Sequence, residues 1–428
     1  MKQGWEIKSL GEIADVEYGF TDKSTEGGDY RYVRITDIDS NGELISSEKK
    51  YIKYSKEAEG FIIHENDLLM ARTGATFAKV LLYKDFEPSV FASYLIRIKF
   101  KEKIENKLYW YFTKTKSYWE QANSLASGAA QPHFNGAAVK QLIFSYPKSL
   151  TEQQRIVAIL DETFVSIAKA KTNAEQNLKN AKELFASYLQ SVFENKGEGW
   201  DETQLMEVCK EITDGSHFSP KSSGKDEYPY ITVRDIDNDK VDFDNCKFIS
   251  KSNYESLLKN GCKPNSGDLL FSKDGTVGKV SLIDFEKDFV VLSSLAIIRP
   301  NDKIINSSLL KYILKNPAFL QTAVGMKTGV AIRRIILKNL KLIVISYPKS
   351  LKAQQNLVQK FNALSVETKK LETIYQQKIN DLEELKKSIL QKAFEGKLSE
   401  SGFAGLKDKE DRGGDAGKKQ IKKILKSV

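Results

Sequence analysis

Two glycine-containing turns hold the residues whose types and spacing come nearest to a site for phosphate chemistry. Gly275–Val280 ends as a phosphate-binding loop does, with a lysine directly after a glycine. The segment lacks the first glycine at the required spacing and the Ser or Thr that would hold magnesium, and its twin, Gly74–Val80, is also incomplete. We therefore interpret both segments as turns into buried strands rather than as nucleotide sites.

Other patterns that could perform catalysis are missing from the sequence. The three histidines, His64, His133 and His217, lie far apart, and none stands near a cysteine at the spacing of metal ligands. No GxGxxG motif follows a strand pattern, and no Asp/Asn-Pro-Pro-Tyr/Phe motif of an amino-methyltransferase occurs. With 29% charged residues, some Asp/Glu/Lys triples imitate a nuclease pattern by chance. We predict that the chain has no catalytic site and binds no metal.

One block of the sequence occurs twice. Ser145–Leu150 and Ser346–Leu351 both read SYPKSL, and they are 201 residues apart. The long helical pattern after each block ends in matching residues at the same separation, as in Phe193-Glu194 and Phe394-Glu395. Two matches at one separation indicate a duplicated unit that consists of a domain and a helix.

The domains that precede the two blocks repeat each other loosely. Tyr230–Asp237 is similar to Tyr32–Asp39, and Asp268–Val280 is similar to Asp67–Val80, whereas the segments between them differ strongly. Strand-like runs such as Phe91–Ile98 alternate with turns and short helical patterns. A shared framework with divergent loops is what we expect of two domains that recognise different targets.

Each block is followed by a long amphipathic pattern. Ser149 and Glu152 have the spacing of a capping box, whereas the second copy keeps Ser350 and has Ala353 in place of the glutamate. Apolar residues then recur at spacings of three and four, interrupted in the first copy by Lys171. The apolar positions are Leu160, Phe164, Ile167, Ala174, Leu178, Ala181, Phe185, Tyr188 and Val192 in the first copy, and Phe361, Leu364, Leu371, Tyr375, Leu382, Leu385 and Ile389 in the second.

These two helices need partners. A helix of roughly 45 residues is about 70 Å long, and one apolar stripe of that length is not stable alone in water. The second domain must fit between the helices along the chain, so we predict an antiparallel helix pair with a domain at each end. Two separate helices, each packed on its own domain, are the alternative.

The predicted organisation has five segments. They are a first domain over 1–150, a long helix over 151–196, a second domain over 197–348, a second long helix over 349–398, and a basic tail over 399–428. The composition of the tail is typical of disorder, although 420–426 could form a short basic amphipathic turn.

Bulk composition limits the class of protein. The 428 residues suit two or three domains, and three cysteines without a CxxC pair argue against a disulfide framework. No signal peptide or membrane span is visible, so we expect a cytoplasmic protein without membrane contact. The net charge is +9, of which the tail from Lys407 contributes +4. This charge permits nucleic-acid binding without proving it.

The order of these features resembles the specificity subunit of type I restriction-modification systems. That family also has a domain, a long helix, a second domain and a second long helix. Asp214–Pro220 looks like the family's opening loop, and Ser127–Asn135 and Thr328–Arg334 look like the loop before each domain's last strand. The resemblance covers about residues 3–398. Ala353 and the basic tail depart from it.

The resemblance implies an α+β fold in which two mixed α/β target recognition domains are separated by two long antiparallel coiled-coil helices in a pseudo-two-fold arrangement. Each domain would read one half of a bipartite, asymmetric site in double-stranded DNA. The helices would set the spacer and dock two methyltransferase subunits, and motor-nuclease subunits would join for cleavage. Those partners would use S-adenosylmethionine, ATP and Mg, so the chain itself would need no cofactor.

Candidate DNA-binding residues lie in the divergent polar loops. Arg or Lys reads guanine, Asn or Gln reads adenine, and Lys, Arg, Ser and Thr bind phosphates. The candidates in the first domain are Tyr18, Thr21, Lys23, Arg72, Thr73, Thr76, Gln131, His133 and Asn135. Those in the second domain are Ser216, His217, Lys221, Lys273, Asp274, Thr276, Lys327, Arg333 and Arg334. Arg72 and Lys273 come first, because each follows a strand-like run and enters a glycine turn. The other interpretation of any single candidate is a solvated or turn-stabilising residue.

Two other functions fit parts of the sequence. A single-chain restriction enzyme would methylate and cut DNA itself, but the methyltransferase and nuclease motifs are missing. A structural coiled-coil adaptor with two protein-binding end domains is the alternative, since divergent loops indicate different targets without showing that the targets are DNA.

Overall fold

A computed structural model describes residues 3–45, 47–128, 132–223, 227–326 and 334–398. The tail over 399–428 lies outside these ranges. The described residues form two compact units. The first unit comprises the described residues up to Ala174 together with those from Gln377 onward, and the second unit comprises Glu175–Gln376. Among the helices in these ranges, none has both the length and the apolar composition required to cross a membrane.

The first unit combines short strands with short helices. Its strands are β1 (Trp5–Ser9), β2 (Ala14–Tyr18), β3 (Tyr30–Val33), β4 (Tyr51–Ile52), β5 (Leu68–Ala71), β6 (Val80–Leu82), β7 (Ser89–Phe91), β8 (Leu95–Phe100) and β9 (Ile143–Pro147). Its short helices are α1 (Leu10–Ile13), α2 (Asn106–Phe112), α3 (Lys116–Leu125) and α4 (Gly136–Lys140), and the long helix α5 (Leu150–Glu194) begins here.

The second unit has the same kinds of elements in a similar order. Its strands are β10 (Trp200–Gln204), β11 (Cys209–Asp214), β12 (Tyr228–Ile231), β13 (Ile236–Asp237), β14 (Lys240–Val241), β15 (Lys247–Ile249), β16 (Leu269–Ser272), β17 (Val280–Leu282), β18 (Val290–Val291), β19 (Leu295–Pro300) and β20 (Val344–Pro348). Its short helices are α6 (Lys251–Lys259), α7 (Ser307–Lys315), α8 (Pro317–Gly325) and α9 (Leu337–Lys341), and the long helix α10 (Leu351–Phe394) begins here.

The sheets confirm the duplication. The first unit has an antiparallel sheet of order β2-β8-β5-β6, and the second has β11-β19-β16-β17. A smaller mixed sheet, β4-β3-β7, corresponds to β15-β12-β18, and the antiparallel pair β1-β9 corresponds to β10-β20. Trp5 lies opposite Pro147, as Trp200 lies opposite Pro348. The predicted α+β class with two mixed α/β domains is therefore confirmed.

The strand predicted over Phe91–Ile98 is wrong as one element. The chain forms β7, turns at Ala92–Tyr94, and continues as β8. The reason is that β7 pairs with β3 in the small sheet, whereas β8 pairs with β2 and β5 in the large one. A single apolar run therefore serves two sheets, and it has to bend between them.

The long helices pair antiparallel within each unit. In the first unit, the Nζ atom of Lys386 lies 5.2 Å from the ring centre of Phe164, and Lys171 forms an ion pair with Glu383. The polar residue that interrupts the apolar seam thus binds the opposite helix. In the second unit, Leu178 and Ala181 cluster with Leu371 and Tyr375, and the ring centres of Tyr188 and Phe361 are 6.0 Å apart. Each helix segment also joins the apolar core of its unit. The predicted antiparallel pairing is therefore confirmed, and the alternative of two separate helices is wrong.

A buried glutamine joins each long helix to the adjoining domain. The Oε1 atom of Gln153 accepts a hydrogen bond from the backbone N–H of Glu105 (2.7 Å), and its Nε2 atom donates to the carbonyl oxygen of Pro147 (2.8 Å). Gln354 makes the same two bonds, with Asn306 and Pro348, at 2.7 and 2.8 Å. Both glutamine side chains are fully buried. The direction in which each helix leaves its domain is therefore held by hydrogen bonds as well as by apolar contacts.

Both long helices keep the serine half of the predicted capping box. Ser149 Oγ accepts from the N–H of Glu152 at 3.4 Å, and Ser350 Oγ accepts from the N–H of Ala353 at 3.5 Å. The carboxylate of Glu152 accepts two bonds from Arg155. Helix α10 begins at the counterpart of the first residue of α5, so the loss of the glutamate does not move the helix start.

Candidate nucleic-acid interface

Loops of the first unit converge around Arg72. The backbone N–H of Arg72 donates to the carbonyl oxygen of Tyr94 (3.0 Å), and the carbonyl oxygen of Arg72 accepts from the N–H of Phe134 (2.8 Å). Thr73 forms a β-bridge with His133. These bonds bring together the turn after β5, the turn between β7 and β8, and the loop before α4.

The guanidinium group of Arg72 stacks on an exposed aromatic ring. Its Cζ atom lies 4.9 Å from the ring centre of Tyr18, the last residue of β2. The hydroxyl of Tyr18 accepts a hydrogen bond from the N–H of Gly136 at 2.6 Å, which holds the ring in place. Tyr18 is 42% exposed and Tyr94 is 57% exposed. Among the described residues no carboxylate forms an ion pair with Arg72, so its donors are available for an external acceptor.

The other candidates of the first unit differ in their roles. The Nε2 atom of His133 lies 3.0 Å from Ser127 Oγ, beside Thr73. Thr76 Oγ1 donates to the carbonyl oxygen of Ile35 (2.9 Å), and Asn135 Oδ1 caps helix α4 by accepting from Ala138 N–H (2.8 Å). These two side chains thus have the turn-stabilising roles that were the alternative interpretation. Thr21 and Lys23 are exposed in the loop after β2.

Lys273 occupies the position of Arg72 in the second unit. Its N–H donates to the carbonyl oxygen of Ser294 (3.0 Å), and its carbonyl oxygen accepts from the N–H of Ile335 (2.9 Å). Asp274 forms a β-bridge with Arg334, as Thr73 does with His133. The backbone framework of the site is therefore the same in both units.

The side chains on this framework are different. Lys273 is only 4% exposed, and its Nζ atom lies 3.3 Å from Asp214 Oδ1 and 3.7 Å from Asp274 Oδ1. These contacts are ion pairs without hydrogen-bond geometry, since both carboxylate oxygens lack a hydrogen-bond partner among the described residues. The buried Oγ atom of Ser294 lacks one as well. Lys273 remains a predicted DNA-binding residue, but its ammonium group would have to leave this cluster to reach a base.

Asp214 is the counterpart of Tyr18. Each residue ends its strand and precedes a glycine, Gly19 or Gly215, that lies against the turn linking β7 to β8 or β18 to β19. A Cβ atom would lie 2.3 Å from the carbonyl oxygen of Ala92 at Gly19 and 2.3 Å from that of Val291 at Gly215, so only glycine fits. An arginine stacked on a tyrosine in one unit thus corresponds to a lysine paired with aspartates in the other.

The remaining candidates of the second unit are partly structural. Ser216 is buried, and its Oγ atom donates to the carbonyl oxygen of Phe218 (2.6 Å) and accepts from the N–H of the same residue (3.0 Å). His217 is exposed, with Nε2 3.5 Å from Asp214 Oδ2. Lys221, Thr276 and Arg334 are exposed. Three candidates lie outside the described residues, namely Gln131, Lys327 and Arg333.

Three residues of the two sites were not among the sequence candidates. They are Tyr94, Asp214 and Ser294. Tyr94 lies inside the run that was predicted as one strand, so its position in a turn had no signal. Asp214 precedes Gly215 just as Tyr18 precedes Gly19, and this shared dipeptide position could have revealed it.

The glycine turns behave as predicted. Both lead into buried strands, β6 and β17. The Nζ atom of Lys279 donates to the carbonyl oxygens of Val233 (3.2 Å) and Ile236 (2.6 Å), so it serves the domain core instead of a phosphate. Within the described ranges, no group of three or more His, Cys, Asp or Glu side chains is placed to bind a metal ion.

Comparisons with known proteins identify the family of this chain. Residues 2–179 and 197–384 match the family described as type I restriction modification DNA specificity domain. The specificity subunit of the EcoBI type I restriction enzyme of Escherichia coli is 24% identical over an alignment of 424 residues, and the match covers 92% of this chain and 86% of that protein.

Two solved structures have the same fold. A chain from a structure on complex assembly and conformational transition of the type I R-M system has a TM-score of 0.73 at 19% identity, covering 93% of this chain and 99% of that one. The HsdS subunit from Thermoanaerobacter tengcongensis has a TM-score of 0.59 at 20% identity, covering 93% and 98%. The family match spans both halves of the duplication. The chain therefore belongs to the family of type I restriction-modification specificity subunits, with two DNA-recognition domains.

Proposed function

We propose that each unit reads one half of a bipartite, asymmetric site in double-stranded DNA. The first unit would use the loops around Arg72 and Tyr18, and the second would use the loops around Lys273 and Asp214. The observation that supports this proposal is the difference in chemistry at equivalent positions of one shared backbone framework. Identical half-sites would call for identical side chains there.

The two sets of side chains favour different base edges. Arg72 stacks on the ring of Tyr18, which leaves its N–H donors available. Such donors suit the O6 and N7 acceptors of guanine. Carboxylate oxygens such as those of Asp214 and Asp274 suit an exocyclic amino donor, which cytosine and adenine present in the major groove. The second half-site would therefore contain an amino-bearing base where the first contains guanine.

Catalysis and assembly would depend on other subunits. The chain would act as a non-catalytic DNA-binding subunit in the cytoplasm, and the long helices would dock two methyltransferase subunits. Motor-nuclease subunits would add cleavage. S-adenosylmethionine, ATP and Mg would be used by those partners. The family of the chain supports this assignment, and the paired long helices would supply the docking surface.

Selection from a pool of random DNA duplexes with the purified chain tests DNA reading directly. We expect the selected duplexes to contain two specified blocks separated by unspecified base pairs. We also expect the affinity to fall steeply as the salt concentration rises, because phosphate contacts release counterions on binding. Binding is measured by fluorescence anisotropy across a salt series. Absence of any enriched sequence would favour the adaptor function, and enrichment of a single block would contradict the two-reader proposal.

Lengthening both long helices is expected to lengthen the unspecified spacer. Seven residues inserted between Ala174 and Glu175, and seven between Gln376 and Gln377, keep the apolar seam in register because they add one heptad to each helix. The added length is about 10 Å, or roughly three base pairs of B-DNA. Duplex selection with this variant measures the spacer. An unchanged spacer would show that the helices do not set it, and insertion in only one helix is the control for misregistered seams.

A further inference from the structure

The first unit contains a lysine-lined cleft that DNA reading does not explain. Its volume is about 230 Å³. The walls come from the turn at Ser40–Gly42, from the start of β6, from the link between α2 and α3, and from the C-terminal part of α10. The lysines that line it are Lys79, Lys114, Lys386 and Lys387.

Lys114 is the innermost of these lysines. Its Nζ atom lies 3.7 Å from the ring centre of Trp110 and donates to the carbonyl oxygen of Asn41. Burial lowers the pKa of Lys114 to about 8. Repulsion from neighbouring Lys386 and Lys84 contributes to this lowering, and the carboxylates of Glu43 and Asp39 act against it. The ammonium group is thus held in place by a ring and a carbonyl group, without a carboxylate in direct contact.

Positive charge in the cleft exceeds negative charge. Glu383 is the acidic residue in the lining, and it already forms an ion pair with Lys171. Lys387 is paired with Glu384 at 2.8 Å. Among the described residues, Lys79, Lys114 and Lys386 form no ion pair. Partly buried cations without an ion-pair partner are unfavourable, and an anion that enters the cleft would relieve this cost.

The second unit shows that the shared framework does not require these charges. The counterpart of Lys114 is Lys315, and its Nζ atom is paired with Asp239 Oδ1 at 2.6 Å. Asp239 lies in the turn between β13 and β14, which corresponds to the turn that contains Asn41. The positions 201 residues before Lys386 and Lys387 are Phe185 and Ala186. In the second unit the counterpart lysine thus has a carboxylate partner, and two lysines of the cleft are replaced by a phenylalanine and an alanine.

We propose that the cleft of the first unit binds a phosphate group, held by the ammonium groups of Lys114, Lys79 and Lys386. Its volume suits one tetrahedral anion better than a whole drug-sized ligand, for which pockets of roughly 300–1,000 Å³ are usual. The phosphate belongs either to the backbone of bound DNA or to a free phosphate compound. In the first case the cleft extends the proposed DNA interface, and in the second it is a separate site.

Lysine acylation read by mass spectrometry tests this proposal on the full chain. The probes are inorganic phosphate alone and, in phosphate-free buffer, a DNA duplex obtained by the selection described above. Inorganic phosphate at about ten times its Kd is expected to slow acylation of Lys114 about tenfold, since only the unoccupied fraction reacts. The exposed Lys116, outside the cleft, should react at an unchanged rate. If both probes protect Lys114, the cleft accepts a phosphate group from either source. If only DNA protects it, the phosphate group comes from the DNA backbone. Absence of protection by both probes would overturn the proposal.

Two substitutions at Asn41 test whether a carboxylate beside Lys114 prevents phosphate binding. Asn41→Asp gives the first unit the carboxylate that neutralises Lys315 in the second, so we expect phosphate protection of Lys114 to disappear. Asn41→Ser keeps the turn neutral and should keep the protection. Thermal unfolding by circular dichroism verifies that both variants fold, and Lys386→Gln serves as a second loss-of-charge variant. Equal protection in Asn41→Asp and Asn41→Ser would overturn the proposal. Duplex selection with the unsubstituted chain tests the proposed function separately.

Discussion

Arg72→Ala is expected to weaken recognition of one half-site and to leave the other unchanged. The guanidinium group stacks on Tyr18 and has no ion pair among the described residues, so its donors are free to bind a base edge. A bidentate arginine–guanine contact contributes about 1–3 kcal/mol, which corresponds to roughly 5- to 150-fold in affinity at one base pair. Anisotropy titrations with duplexes altered in one half-site at a time measure the effect.

The backbone around Arg72 makes this substitution interpretable. The two hydrogen bonds that hold the residue involve its N–H and carbonyl groups, so alanine keeps them. Arg72→Lys is the matched variant, because it keeps the charge and loses the planar fork. We expect Arg72→Lys to bind DNA of any sequence nearly normally while losing discrimination at the same base pair. Equal losses at both half-sites in Arg72→Ala would instead indicate a general phosphate contact or a folding defect.

Gln153→Ala is expected to destabilise the first unit by about 3–5 kcal/mol. The substitution leaves the N–H of Glu105 and the carbonyl oxygen of Pro147 without the partner that they have in the native chain. A buried polar group without a partner costs about 1–3 kcal/mol, and the lost side-chain volume adds to this. Hydrogen exchange followed by mass spectrometry measures the effect separately in each unit, because the two units need not unfold together.

The neighbouring residue supplies the control. Gln154 follows Gln153 in the same helix turn and is exposed, so Gln154→Ala should change stability by no more than about 0.5 kcal/mol. Gln354 and Gln355 repeat this pair in the second unit, where Gln354→Ala should affect only second-unit peptides. Equal effects of Gln153→Ala and Gln154→Ala would show that the buried hydrogen bonds do not hold the helix to its domain.

The repeat at 201 residues made much of the architecture predictable. Two copies of one block, each followed by an apolar seam, indicated two similar domains and two long helices that pair antiparallel. These features depend on the repeat and on the spacing of apolar residues, both of which can be observed in the sequence itself. Lys171 interrupts the seam, and its ion pair with Glu383 became visible only in the folded chain because the partner comes from the other helix.

The run Phe91–Ile98 shows where pattern reasoning fails. Its composition is strand-like throughout, so nothing local marks the turn at Ala92–Tyr94. The break exists because the first part of the run pairs with β3 in one sheet and the last part pairs with β2 in another. The same break exposes Tyr94, and it is the reason that this aromatic residue was missing from the candidates.

The sequence alone determined how the frame is duplicated and where the long helices begin, and the DNA-binding residues that it proposed stay predictions. It placed Arg72 and Lys273 at equivalent positions but could not distinguish them. Only the tertiary structure decided that Arg72 stacks on an exposed ring while Lys273 is buried beside Asp214. The physical reason is that the burial and the partners of a charged side chain depend on the residues at the ends of neighbouring strands, here Tyr18 and Asp214. Those residues are distant in the sequence.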